Sequence, residues 1–156
     1  MGKTIIDIAS GRKQVVFGKD GIVIQKHIAS LKGGRALVVT DFTDDYIYAG
    51  HVIITKDGVY KPMPVVAATE TVAAHYGTLP EGWAYAGILR TTIEKARPLA
   101  PVMIDGLVNI AATEYPMEGV TYTESGEGGE QEVTVGNILA AFKAACPCVK
   151  FVKDEE

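Results

Sequence analysis

Apolar residues along this chain come in short runs broken by glycine, proline and aspartate. The run 85–89 (YAGIL) reads as a buried strand, and 36–39 (ALVV), 46–48 (YIY), 51–54 (HVII) and 102–104 (VMI) read as further strands. Asp-Gly stands between β-branched runs three times, at Asp20-Gly21, Asp57-Gly58 and Asp105-Gly106. A type I′ turn needs positive φ at both central residues, and this dipeptide tolerates it well. The first two pairs therefore predict hairpins, joining 15–17 to 22–24 and 51–54 to 59–60. At Asp105-Gly106 two readings stay open, a hairpin and a bulge in one bent strand. Short strands with turn signals at this spacing predict a mainly β, barrel- or sandwich-like domain rather than a βαβ fold.

Only one segment has a clear helical period. Ile138, Leu139, Phe142 and Ala145 fall on one face, Asn137 stands at the N-cap position and Pro147 ends the run. This predicts a helix over 138–145, followed by a terminal strand over 149–152. The alanine-rich stretch 66–75 allows a short helix closed by Gly77. Residues 79–82 predict a turn before Trp83, and Lys32-Gly33-Gly34-Arg35 a turn or hinge. The stretch 123–130 (TESGEGGE) holds no apolar residue and predicts an exposed loop or hairpin tip. Residues 1–12 read as an N-terminal arm carrying Ile5, Ile6 and Ile8, with a first strand of the domain as the alternative. A single domain then spans 13–156, with its core over about 34–113 and a C-terminal addition over 114–156.

Composition narrows the picture. With 156 residues and 47% hydrophobic content, the chain can bury a real core. A formal charge of −4 offers no basic footprint, so nucleic acid is not expected as a partner. No apolar run reaches the roughly 18–20 residues of a membrane span, so no membrane partner is expected. The N-terminus lacks the apolar core of a signal peptide, and Ile6 occupies the position where myristoylation wants Ser or Thr. Two cysteines are too few for a disulfide framework, which suits a protein made in a reducing cytoplasm.

Candidate chemistry is sparse. His27, His51 and His75 show no metal-binding spacing and read as surface or edge residues. Cys146-Pro147-Cys148 lacks a second ligand pair and reads as small side chains packing near the helix. Glu124, Glu127, Glu130 and Glu132 lack the calcium-loop pattern. No phosphate loop and no nucleophile with an evident base stands out. No catalytic residue, metal ligand or cofactor is therefore assigned. Tyr46, Tyr48, Tyr60, Tyr76, Trp83 and Tyr85 lie near turns and strand ends. They suit a carbohydrate or protein contact, although strand and turn packing is their more ordinary role.

The span from about Gly34 to Ala112 resembles the bacteriophage head decoration proteins, also called head fibre proteins. The resemblance rests on GRALVVT at 34–40, AGHVII at 49–54, GVYKPMPV at 58–65, AGIL at 86–89 and VMIDGLVNIAA at 102–112. It covers about half the chain, and its motifs are structural. It implies a small β-rich fold, a homotrimer on local threefold positions of an icosahedral shell, and an N-terminal arm that reaches the major capsid protein. On that resemblance Ile5, Ile6 and Ile8 are the candidate capsid-binding residues, the location is the virion surface, and the chain is no enzyme. The glycine- and glutamate-rich loop and the C-terminal helix depart from the shortest members. The alternative from the residues themselves is a ligand-binding β domain that uses aromatic side chains near loop ends.

Overall fold

The computed structural model describes residues 19–154. The arm over 1–12, with Ile5, Ile6 and Ile8, and the strand expected over 15–17 lie outside the described residues.

The described chain opens on one helical turn, α1 (Asp20–Val23), and continues into β1 (Ile24–Ser30), β2 (Arg35–Ala36) and β3 (Tyr46–Ile47). Next come β4 (Val52–Lys56), β5 (Val59–Pro62), β6 (Val65–Val66), β7 (His75–Tyr76) and β8 (Ala84–Leu89). After β9 (Ile93–Glu94) and β10 (Leu99–Ala100), the long β11 (Val102–Asn109) leads into a 3-10 turn, Ile110–Ala112. The hairpin of β12 (Val120–Gly126) and β13 (Gly129–Val135), then α2 (Leu139–Ala145) and β14 (Val149–Val152), complete it.

The fold is mainly β, as the short apolar runs require. Its principal sheet runs in the order β1-β11-β8-β4-β5, with β14 added parallel to β11. This sheet is open, so of the two expected shapes the closed barrel is not formed. Both faces of its centre are covered. Val52, Ile54, Ile88 and Met103 pack into one apolar cluster with Phe142, Tyr76 and Met117. Ile53, Leu89 and Val102 point the other way, into a second cluster with Leu37, Ile47 and Ala100. Two-sided burial explains why β4 and β8 read as continuous apolar runs rather than alternating ones.

The three Asp-Gly pairs have three different fates. Asp57 (φ 50°) and Gly58 (φ 80°) form the expected turn between β4 and β5. Asp20-Gly21 instead lies in α1, where Ile22 and Val23 donate to the Lys19 carbonyl. Burial of Val23 and capture of the Asp20 carboxylate by Thr92 hold that turn helical. Asp105-Gly106 sits inside the unbroken β11, so the hairpin is not formed; the single strand of the other reading is, with the residues skipped in the register beside Gly106 on β1. Here β11 is paired on both sides, Leu107 lying between Lys26 of β1 and Lys150 of β14. Ladder bonds on two flanks outweigh a local turn preference. The β1–β11 register shifts at several points around Gly106.

Other expectations are corrected by the tertiary structure. Residues 66–75 form no helix. Val66 and His75 pair at the ends of β6 and β7, 67–74 is the loop between them with a Thr69–Val72 backbone bond, and Gly77 donates to the Pro64 carbonyl instead of capping a helix. The C-terminal helix begins one residue late, with Ile138 at its N-cap and no side-chain cap from Asn137. The first amides, Ile138 and Leu139, donate to the Met117 carbonyl, which satisfies them without a cap. Phe142 and Ile138 are buried, but Ala145 is exposed. The 123–130 stretch is the exposed tip of the β12–β13 hairpin. The turn at Gly33 and Gly34 forms with positive φ at both. Yet β1, which precedes that turn, already pairs along the principal sheet.

Candidate functional site

His51 ends up at the centre of the polar geometry, contrary to its reading as a surface residue. It is 3% exposed. Gly50, just before it, takes φ 90° in a spot where a Cβ would meet Val23 Cγ1 at 2.6 Å. Its ring is held edge-on by Phe42, Tyr76 and Tyr115, with centroids 5.5, 5.2 and 5.7 Å away. Nε2 lies 3.0 Å from the Met63 carbonyl, so that nitrogen carries the proton of the neutral ring and donates it. Burial lowers the imidazole pKa to about 4, against smaller opposing effects from the Met63 carbonyl and from Asp44. His51 is thus a neutral structural donor among aromatic edges. His27 and His75 remain outside this centre. The His27 ring pairs with Ser30 and that of His75 with the Ala73 carbonyl.

A cleft of about 300 Å³ opens beside this cluster. Phe42 and Tyr115 form its aromatic wall, and Val38, Pro62, Pro64 and Val65 its aliphatic one. Asp41, Thr43 and Asp44, on the loop before β3, supply its oxygens. The Tyr115 hydroxyl donates to Asp44 Oδ2 at 3.0 Å, joining residues 71 apart in sequence. Burial first, and then that bond to Asp44, holds the Tyr115 phenol above its ordinary range. Lys61 also lines the cleft, but its ammonium sits 4.3 Å from the centre of the Trp83 ring, and Trp83 is not part of the cleft wall. The side chain therefore offers the cleft its alkyl stem while its charge is engaged elsewhere.

The aromatic residues singled out in the sequence do not converge on one site. Tyr76 is buried, and its hydroxyl oxygen accepts the Val52 amide at 3.2 Å. Tyr60 lies under Arg35, and Tyr85 packs on Phe142. Cys146 is half-buried, and burial pushes its thiol pKa up, while Cys148 is exposed. Among the described residues, no group of three or more His, Cys, Asp or Glu side chains is placed to share a metal ion. No described helix is long and apolar enough to cross a membrane. The cleft residues Phe42, Asp44 and Tyr115 carried no sequence signal beyond a polar connection and a lone tyrosine before a proline.

No family model matches this chain, and no curated protein and no solved structure matches it either.

Proposed function

We propose that this chain is a capsid decoration protein, a homotrimer that binds the outside of a phage head shell, stabilises it and catalyses nothing. The observation that supports this reading is a pair of exposed isoleucines near the start of the described chain. Ile22 in α1 is 56% exposed and Ile28 in β1 is 57% exposed. Both follow closely in sequence on Ile5, Ile6 and Ile8. Exposed large aliphatic side chains also occur at Val38, Val59, Val66 and Leu99, so the reading rests on the position of Ile22 and Ile28 next to the arm in the chain and not on their exposure alone. The major capsid protein is the proposed partner. Three weak contacts per trimer would raise avidity sharply where the geometry lets all three engage.

The test is a pelleting assay with bare capsids. Deleting residues 2–12 leaves folding and oligomer mass intact and weakens capsid binding at least about tenfold, or about 1.4 kcal/mol. Full-strength binding by the truncated protein would overturn the assignment of the arm. Failure of the intact protein to bind capsids at all would overturn the function.

A second reading, ligand binding, is favoured by the cleft at Phe42 and Tyr115. It uses different aromatic residues from those the sequence suggested. A glycan-array screen with Tyr115→Ala as control tests it for carbohydrate.

A further inference from the structure

We propose that the Asp44–Tyr115 cleft binds a cationic side chain, an arginine or lysine presented by a polypeptide partner. Aromatic and aliphatic walls suit the stem of such a side chain, and two carboxylates suit its head. Among the described residues neither Asp41 nor Asp44 forms an ion pair. The one cation in the cleft wall, Lys61, holds its ammonium over Trp83. The neighbouring Lys95 ammonium is bound to the Phe42 carbonyl. Both ammonium groups stay charged, but of the lining residues Asp41 and Asp44 outnumber Lys61, so the lining keeps a net negative charge.

The site is also preorganised. Phe42 and Tyr115 are both set edge-on against the buried His51. Asp44 is fixed through Oδ2 by the Tyr115 hydroxyl, which leaves Oδ1 for an incoming N–H group. A guanidinium is planar, always charged and weakly hydrated. It loses less on stacking against aromatic walls than an ammonium does, so arginine is the preferred occupant. A neutral saccharide can donate its hydroxyls to the carboxylates but adds no opposite charge, which places it second.

This proposal adds to the decoration reading by naming the chemistry of a partner group, but its test needs no capsid. N-acetyl-arginine amide is titrated into the full-length protein and followed by NMR, with the uncharged citrulline analogue alongside. Saturable shifts confined to Phe42, Asp44, Tyr115 and their neighbours are expected, weakened at least about fivefold in Asp44→Asn. That variant keeps an acceptor for Tyr115, so the fold is retained. Binding should also weaken several-fold between 50 and 500 mM salt, as expected of a charge contact near the surface. An equal response to citrulline, an unchanged affinity in Asp44→Asn, or shifts scattered over the surface would overturn the proposal. So would tighter binding of a neutral oligosaccharide at the same residues. Loss of capsid binding in a separate assay would leave this result standing.

Discussion

Asp20 takes two hydrogen bonds from Thr92, 72 residues away: the amide donates to Oδ2 at 2.8 Å and the hydroxyl to Oδ1 at 2.6 Å. Thr92 is itself 8% exposed, and its Oγ1 accepts the Ala49 amide at 3.1 Å. One carboxylate thus ties α1 to the loop after β8 and, through Thr92, to the segment before β4. Hydrogen bonds to a charged acceptor contribute more than neutral ones, roughly 1.5–3 kcal/mol. Asp20→Ala is expected to lower unfolding free energy by about 2–3 kcal/mol, read from urea denaturation. Asp20→Asn should cost less, since it keeps an acceptor. A change under about 0.5 kcal/mol in Asp20→Ala would show the tie to be dispensable.

His51 makes stability depend on pH in a defined direction. Its folded pKa, about 4, lies below the unfolded value of 6.5, so the unfolded state binds the proton more readily. Its contribution is complete above pH 6.5, falls as pH drops through that value, and is fully lost below about 4. The difference is worth roughly 3 kcal/mol across this window. Urea unfolding at pH 7.5, 5.5 and 4 should show the fall, and His51→Gln should show a smaller one whatever its stability at pH 7.5. Parallel pH profiles for the two proteins would contradict the assignment.

Two glycines in identical Asp-Gly pairs should respond oppositely to alanine. A Cβ on Gly106 would press on the Lys26 carbonyl and meet Met103 Sδ at 2.6 Å. Overpacking of this kind costs about 1–3 kcal/mol. A Cβ on Gly21 meets nothing within 4 Å and sits in a helical turn. Gly21→Ala should therefore be neutral or stabilising by up to about 1 kcal/mol. Thermal and urea midpoints of the two variants decide the matter.

The hairpin tip should be expendable for folding. Every residue from Thr123 to Glu132 is exposed, and β12 and β13 pair only with each other among the described strands. At its base Gly119 and Gly136 fit closely against backbone, so the anchoring lies there. Replacing 124–131 with Asn-Gly keeps the Thr123–Glu132 pair next to a two-residue turn. The change in stability is expected to stay within about 0.5 kcal/mol. Loss of cooperative unfolding would show that the tip supports the domain.

The chain itself determined the mainly β class, the β4–β5 turn at Asp57-Gly58, the exposed tip near Gly128 and the helix around Phe142. Each of these rests on local chemistry: positive φ at a turn, the absence of apolar groups, or a helical period. Tertiary structure decided what local chemistry left degenerate. Asp105-Gly106 stays extended because strands flank Leu107 on both sides, and Asp20-Gly21 turns helical because Thr92 takes its carboxylate. The helix at Leu139 needs no side-chain cap because the Met117 carbonyl, more than twenty residues back, accepts its first amides. The cleft was invisible for the same reason. Phe42, Asp44, His51 and Tyr115 belong to three separate stretches of sequence, and only packing around one buried imidazole brings them together.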